Sequence, residues 1–241
     1  MRQVPELKNT KYLIVGNGRL ANHFKRYLSL LNIPFNQFNR NSAISFKKIL
    51  PGYSHILLLI NDDEIIKFVE SNKKYVSNEV IWVHCSGLIS TASAESAHPL
   101  ASFTDHLFEP EFYNRIPFVI EKGRKPFNEI LPGLPNPYFE IERSEKELYH
   151  AMCSLAGNFS TILWIAFQDY ITGHLNFSEE MMHPYLESIT RNIQFADDPL
   201  TGPLKRKDSV TTGKHIKSLE DSPLKGIYKA FINYYTDERV K

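Results

Sequence analysis

Short apolar runs and amphipathic stretches alternate along the first half of the chain. The stretch Leu20–Leu31 carries apolar residues at helical spacing, and shorter stretches follow the later runs. The runs themselves are short and mainly apolar, as in strands that are buried on both faces of a sheet. They lie at Tyr12–Val15, Ile33–Phe38, His55–Ile60 and Val80–Val83. This alternation predicts a parallel sheet with helices on both faces.

The pattern changes near residue 143. Two more strands are predicted at Ile116–Ile120 and Tyr138–Ile141, with a short helix around Phe127–Leu131, and no strand is predicted after residue 141. From there on the spacing is helical and strongly apolar. The later helices are predicted at Ser178–Gln194, Ser209–Leu219 and Leu224–Tyr235. The chain therefore predicts an α/β domain at 1–143 and a smaller all-helical domain at 144–241.

A glycine-rich turn joins the first predicted strand to the first helix. Residues 16–21 read Gly-Asn-Gly-Arg-Leu-Ala, a G-x-G-x-x-A pattern. In dinucleotide-binding domains of the Rossmann type, the first glycine permits the tight turn and the second lets backbone approach a pyrophosphate. The N–H groups at the helix start then bind the phosphates. The predicted contacts come from Gly16, Asn17, Gly18, Arg19 and Leu20; a purely structural turn is the alternative.

The end of the second predicted strand distinguishes the two nicotinamide dinucleotides. NAD enzymes usually place Asp or Glu there for the ribose 2′-hydroxyl, whereas this chain has Asn39, Arg40, Asn41 and Ser42. Arginine can pair with a 2′-phosphate, and a serine hydroxyl can donate to it. NADP is therefore the predicted cofactor, and a solvated surface arginine is the alternative. The predicted cofactor site comprises the glycine turn together with Asn39, Arg40, Ser42, Ile60 and Asn61.

Two polar clusters lie where such sheets bind ligands, beyond the predicted strands. His84–Gly87 contains Ser86, and Ser96–Leu100 contains His98. A hydroxyl and an imidazole near a nicotinamide could orient and deprotonate a substrate alcohol. The structural alternatives are a cap or turn for the serine and a fixed extended turn for the histidine, which precedes a proline. Asn158 stands in an apolar helix, where a buried amide needs a partner from another helix or from a ligand.

Composition and charge limit which partners and which cellular compartment are expected. The formal net charge is +1, so no overall field favours nucleic acid. Cys85 and Cys153 are too few for a disulfide framework and lack metal-ligand spacing, which predicts reduced thiols in a cytoplasmic protein without a metal. Residues 1–11 show no apolar signal-peptide core, and no window is expected to approach the ~18 apolar residues of a membrane span. The expected partners are a small-molecule substrate and a second copy of the chain, with no nucleic acid and no membrane.

With these motifs combined, the chain resembles Rossmann-like proteins whose C-terminal half is the domain of unknown function 2520. The resemblance runs over nearly the whole length. Family members show a T-G-P…R-G-D…H pattern, and this chain has Lys207 at the glycine position, followed by Asp208 and His215. The other matching segments are residues 16–21, His84–Gly87, Ser96–Leu100 with Phe103, His150–Asn158 and Leu200–Pro203.

The resemblance extends to 6-phosphogluconate and 3-hydroxyacid dehydrogenases, pyrroline-5-carboxylate reductase and prephenate dehydrogenase. It implies an N-terminal NADP(H) domain and a helical C-terminal domain that supplies part of the active site and a dimer surface. Prephenate dehydrogenases carry a serine and a catalytic histidine that Ser86 and His98 match. Hydroxyacid dehydrogenases have a lysine four residues before an asparagine, whereas this chain has Ser154 before Asn158.

The implied function is an NADP(H)-dependent oxidoreductase that acts on a small, anionic metabolite by hydride transfer. In that function His98 is the acid/base, and Ser86 and Asn158 orient the substrate. The alternative is a non-catalytic NADP(H)-binding sensor or regulatory protein.

Overall fold

The computed structural model describes residues 10–43, 45–50 and 52–238. Most of the polar N-terminal segment considered above, residues 1–9, lies outside the described residues. Contacts between Cα atoms divide the chain into two compact units, Met1–Ile162 and Leu163–Lys241. The domain boundary at residue 143 stays a prediction.

The first unit is built on a seven-stranded sheet with the strand order β2-β1-β3-β4-β5-β6-β7. Its strands are β1 (Tyr12–Val15), β2 (Phe35–Phe38), β3 (His55–Leu58), β4 (Ile81–His84), β5 (Glu95–Pro99), β6 (Phe118–Glu121) and β7 (Tyr138–Ile141). The α/β sheet fold is thereby confirmed, and β1 and β7 have the predicted bounds.

One pair departs from the predicted parallel sheet, because β6 runs antiparallel to β5. The other five pairs are parallel. The helix in the β5–β6 connection, α4 (Pro110–Arg115), has 6 residues. Such a helix is about 9 Å long, shorter than the ~16 Å of the strand that it would have to run back along in a parallel crossover.

Helices pack on both faces of this sheet. One face packs against α4 and two other helices, and the opposite face packs against two more. The first set is completed by α1 (Arg19–Leu30) and α5 (Phe127–Ile130); the second is α2 (Phe46–Ile49) and α3 (Asp62–Asn72). These two cores fix the carboxyl ends of β1, β2, β3 and β4 along one edge, which is where the candidate site lies.

The segment Ser96–Leu100, predicted as a polar loop beyond the strands, is mostly strand β5. Its apolar residue Ala97 is fully buried in one core. Ser96 and His98 alternate with it and therefore point to the opposite face. The prediction failed because this strand has few aliphatic residues; its hydrogen bonds to β4 and β6 hold it in the sheet.

After β7 the described chain is helical and contains no further strand, as predicted. The first long helical stretch comprises α6 (Lys146–Cys153), a π-helical segment (Ser154–Phe159), α7 (Ser160–Asp169) and a second π-helical segment (Tyr170–His174). It is followed by a 3-10 turn (Glu179–Met182), α8 (His183–Phe195), α9 (Gly202–Lys205), α10 (Ser209–Ser218) and α11 (Leu224–Glu238).

The expectation that no window approaches a membrane span is wrong for the stretch Arg143–His174. An 18-residue window within it has a mean hydropathy of 1.2, and the helix is long and apolar enough to cross a membrane by length and composition alone. The reason is that no Asp, Glu, Lys or Arg occurs between Glu147 and Asp169. None of its apolar window is buried.

Candidate functional site

The glycine turn is shaped by close backbone contact on one side and open space on the other. Gly16 has φ +130, and a Cβ there would lie 2.1 Å from the carbonyl oxygen of Leu59, the residue directly after β3. Only glycine fits that approach. Gly18 is the N-cap of α1, and a Cβ there would meet nothing within 4 Å. The start of α1 therefore presents bare backbone to an open space.

Gln37 on β2 holds the turn in place, although it was not among the residues predicted for the site. Its Nε2 donates to the carbonyl of Gly16 at 2.6 Å and to Oδ1 of Asn17 at 2.9 Å. The only sequence feature that could have indicated this role is a polar side chain inside a predicted strand. Because its amide bonds the turn directly, Gln37 couples β2 to the conformation of the phosphate-binding turn.

A cleft of about 1120 Å³ opens at the carboxyl ends of the strands. It is large enough for a dinucleotide, since ligand pockets commonly measure roughly 300–1,000 Å³. Among the predicted cofactor residues, Ser42 does not line it. The predicted residues that do are Gly16, Asn17, Gly18, Arg19, Leu20, Asn39, Arg40, Ile60 and Asn61.

The turn after β2 is closed by its own polar groups. Ser42 Oγ accepts from the backbone N–H of Asn39 at 2.9 Å, and the Ser42 N–H donates to the Asn39 carbonyl at 3.0 Å. The hydroxyl of Ser42 thus helps to shape the turn. Arg40 is exposed on the cleft rim.

Ser86 lies at the far end of the cleft with its hydroxyl fully engaged. Oγ donates to Oδ2 of Asp62 at 2.6 Å and accepts from the N–H groups of Leu88 at 3.2 Å and Ile89 at 3.0 Å. A hydroxyl has one proton and two lone pairs. Ser86 therefore has the structural role in a turn that was the alternative prediction. These bonds leave its hydroxyl no free position for a substrate.

Cys85 lines the cleft beside Ser86, and its thiol is buried. Burial, with the nearby charge of Asp62, raises the pKa of the Cys85 thiol. A thiol kept protonated is a poor nucleophile. Thiolate chemistry at this position is therefore disfavoured.

His98 forms a cluster with two residues of α6. Its Nδ1 lies 2.7 Å from the hydroxyl of Tyr149, and its ring stands perpendicular to that of His150 at 6.0 Å. A Cβ on Gly87 would lie 3.2 Å from His98 Nε2 and 2.7 Å from His150 Cδ2. The two imidazoles therefore flank the backbone immediately after Ser86, where the cleft ends.

Burial dominates the electrostatics of this cluster. Together with the charges of His150 and Lys146, it lowers the pKa of His98 to about 4. Burial and a hydrogen bond with Cys153 raise the pKa of Tyr149. At neutral pH the imidazole is therefore uncharged and the phenol keeps its proton.

Lys146, also missed in the sequence, anchors α6 on the sheet. Its Nζ donates to Ser96 Oγ at 2.6 Å and to Glu121 Oε1 at 3.2 Å, and the two charged side chains are 4% and 8% exposed. Ser90 donates to the other oxygen of Glu121 at 2.8 Å. Because Lys146 and Tyr149 are three residues apart on a helix, they share a face, and they contact Ser96 and His98 two residues apart on β5.

His84 is fully buried beside this network and has no hydrogen-bond partner at either ring nitrogen. It pairs with Ser96 across β4 and β5. Burial, with the charges of Lys146 and Arg124, lowers the pKa of His84 to about 3. The imidazole is held neutral, in keeping with a structural rather than a chemical role.

The prediction that the side-chain amide of Asn158 is buried is wrong. The residue is exposed and lies in the π-helical segment Ser154–Phe159. Its apolar neighbours Leu155 and Phe159 are also exposed, at 51% and 53%, so this whole turn lies at the surface of the chain. The structure therefore places Ser86 on the wall of the cleft and His98 beside the adjacent Gly87, although His98 itself does not line the cleft. Asn158 lies outside that group.

The C-terminal half matches a known family model. Residues 116–234 match the model described as Domain of unknown function (DUF2520). The chain carries a DUF2520 domain. No curated protein matches its sequence.

Solved structures share the fold over nearly the full chain. A Bacteroides fragilis protein whose name proposes an NADP oxidoreductase has a TM-score of 0.79 at 15% identity, covering 97% of this chain and 100% of its own. A Thermotoga maritima protein has a TM-score of 0.71 at 19% identity, covering 94% and 98%. Pyrroline carboxylate reductase from Plasmodium falciparum, solved with NADP bound, has a TM-score of 0.58 at 14% identity, covering 95% and 98%. At these identities the likeness shows the fold alone.

The structure also explains where this DUF2520 domain departs from the family pattern. Lys207, at the family's glycine position, has φ 56, in the left-handed region that favours glycine. The following Asp208 caps α10, accepting from the N–H of Thr211 at 3.0 Å. The loop thus keeps the conformation that a glycine would take, at a cost of about 1 kcal/mol in backbone strain.

Proposed function

We propose that this protein is an NADP(H)-dependent oxidoreductase that acts on a small, anionic metabolite by hydride transfer. The observation that carries the proposal is the cleft beside the glycine turn, with open space at Gly18 and Arg40 on its rim. Bound NADPH would supply the hydride. The residues of this chain bind the cofactor, orient the substrate and provide the proton.

The residues present fit a dinucleotide. A pyrophosphate needs bare backbone at a helix start, and the space at Gly18 is where a Cβ would otherwise project. Asn17, Arg19 and Leu20 line the same part of the cleft and would offer backbone N–H groups. The first helical turn of α1 contains no acidic residue that would repel phosphate.

The preference for NADP rests on the rim after β2. Asn39, Arg40 and Asn41 line the cleft there and provide no carboxylate for a ribose 2′-hydroxyl. Arg40 is free to reach a 2′-phosphate, since its guanidinium is exposed. The solved structure of pyrroline carboxylate reductase with NADP bound shows that the shared fold accommodates this cofactor in another protein.

The chemistry is assigned to the end of the cleft at Gly87. His98 is the acid/base residue, because its Nε2 faces this backbone and its ring is uncharged at neutral pH. The neighbouring imidazole of His150 is half-buried and can donate an N–H to an anionic group. Ser86 supports the loop through its bonds to Asp62, Leu88 and Ile89.

The test is NADPH oxidation with a panel of keto acids and imines. Replacing His98 by Gln should lower kcat by about 10²–10⁴-fold and leave NADPH affinity unchanged. His106→Gln is the control, since that histidine is exposed. NADPH binding without turnover of any compound would instead favour the sensor function.

We further propose that the protein forms a homodimer through the first long helix. Apolar side chains recur along it at intervals of four and three residues, the spacing of helices that pack side by side. They are exposed, at 62% for Leu148, 55% for Met152, 51% for Leu155, 53% for Phe159 and 54% for Ile162. A second copy of the chain offers the same stripe.

Cys85 and Cys153 are free thiols, which supports placing this dimer in the reducing cytoplasm.

Sedimentation of the purified chain tests whether this apolar stripe packs against a second copy of the chain or binds a membrane. A dimer that Leu155→Glu converts to monomer supports the proposal, and Glu147→Gln on the same helix is the control. A monomeric wild type that pellets with lipid vesicles would contradict it.

A further inference from the structure

The hydroxyl of Tyr149 has a place in the site that the proposed function does not yet use. It lies 2.7 Å from Nδ1 of His98, and the two rings are nearly perpendicular, at 82° with centroids 5.5 Å apart. Tyr149 is held by α6, which Lys146 anchors to Ser96 and Glu121. The contact is therefore built into the docking of α6 on β5.

We propose that Tyr149 is a positioning residue that donates its hydroxyl proton to Nδ1 of His98 and thereby fixes the proton of the neutral imidazole on Nε2. The inference rests on the proposed oxidoreductase function, because it assigns the acidic proton of that site. Nε2 is the nitrogen that faces Gly87, where the cleft ends.

The direction of the hydrogen bond follows from acidity. A phenol is a stronger acid than the N–H of a neutral imidazole, and the imidazole nitrogen is the better acceptor. Burial keeps the imidazole uncharged, so an imidazolium does not compete as the proton source at neutral pH. The proton offered to a substrate is then the Nε2 proton of a neutral ring, a known way for histidine to polarise a carbonyl.

The same contact provides a path for replacing that proton. When the Nε2–H bond breaks and an O–H or N–H bond forms on the reduced substrate, Nδ1 takes the Tyr149 hydroxyl proton, so the ring stays neutral. The phenolate left behind recovers a proton from water, because Tyr149 is only half-buried.

A second histidine–tyrosine pair supplies a matched control. His215 Nδ1 lies 2.8 Å from the hydroxyl of Tyr228, with rings at 79° and 5.8 Å apart. This pair is exposed and lies in the second compact unit. Removing its hydroxyl should affect His215 and leave His98 unchanged.

The experiment is ¹⁵N NMR of the full chain labelled at histidine, without cofactor. In the wild type, His98 is expected to carry its proton on Nε2, with Nδ1 shifted as a hydrogen-bonded acceptor. In Tyr149→Phe the Nδ1 resonance should move toward that of a free acceptor, whereas Tyr228→Phe should leave it unchanged. A proton on Nδ1 in the wild type, or an Nδ1 resonance that ignores Tyr149→Phe, overturns the proposal.

Kinetics with any substrate found in the panel adds a second readout. Tyr149→Phe should lower kcat by about 10²-fold with KM for NADPH within about twofold of wild type. An unchanged kcat overturns the proton path. If no compound in the panel is reduced, the proposed oxidoreductase function fails, and the NMR result still decides the hydrogen bond between Tyr149 and His98.

Discussion

At the glycine turn the chain presents bare backbone to an open cleft, whereas around Lys146 it buries charged side chains against one another. A Cβ on Gly18 would meet nothing within 4 Å. Lys146 and Glu121 are 4% and 8% exposed and lie 3.2 Å apart. The first region depends on the absence of side chains and the second on their exact pairing. Substitutions should therefore have different consequences in the two regions.

The largest effect is expected at Gly16. Its Cβ would lie 2.1 Å from a backbone oxygen, and its φ of +130 is strained for any other residue. Gly16→Ala should lose about 5 kcal/mol or more of unfolding free energy in urea denaturation. Gly18→Ala should fold like wild type but bind NADPH at least about tenfold more weakly. Similar stability losses in both variants would contradict the division of roles within the turn.

The next effect is expected at Lys146. Lys146→Met leaves the Glu121 carboxylate buried without its cation, which should cost about 3–5 kcal/mol in urea denaturation. The double variant Lys146→Met/Glu121→Leu should regain most of that loss. Lys122→Met is the control, because its ion pair with Glu142 is exposed and should contribute little. Equal effects of Lys146→Met and Lys122→Met would show that the buried pair has no special role.

The buried network should also make stability fall in acid. Burial lowers the pKa of His84 from 6.5 to about 3, so below its usual pKa the unfolded chain binds a proton that the folded chain does not. Above pH 6.5 His84 is neutral in both states and does not change the free energy of unfolding. As the pH falls below that value, the free energy of unfolding decreases, by about 2 kcal/mol near pH 5. His84→Leu should flatten this loss between about pH 7 and 5, whereas exposed His106→Leu should not. An unchanged slope in His84→Leu would contradict the assignment.

The smallest effect is expected on the open rim. Arg40→Ala should weaken NADPH binding about tenfold, or 1.4 kcal/mol, and leave NADH binding and the melting temperature unchanged. Calorimetric titration of both dinucleotides measures this. Arg26→Ala on α1 is the control, since Arg26 does not line the cleft. Equal loss of both cofactors would show that Arg40 does not read the 2′-phosphate.

The same contrast explains what could be predicted from the sequence. The turn at residues 16–21 is local: the apolar run before it predicted the strand, and the helical spacing after it predicted the helix. The bonds from His98 to Tyr149 and from Ser96 to Lys146 join positions 51 and 50 residues apart. They depend on β5, whose polar composition concealed the strand. No local pattern could place α6 against it.

Asn158 and Ser86 show a different kind of limit. Helical spacing predicted a buried amide at Asn158, but none of the apolar window of this helix is buried, so the amide is exposed together with its apolar neighbours. The sequence identified both the turn and the substrate roles for Ser86. Only the bonds to Asp62, Leu88 and Ile89 show how its hydroxyl is used.

The central claim is that the cleft beside the glycine turn binds a dinucleotide with a 2′-phosphate. Calorimetric titration of the wild-type chain with NADPH and, separately, NADH tests it most directly. NADPH should bind with one site per chain and at least about tenfold more tightly than NADH. Equal or tighter binding of NADH, or no heat and no stabilisation with either dinucleotide, would contradict the account.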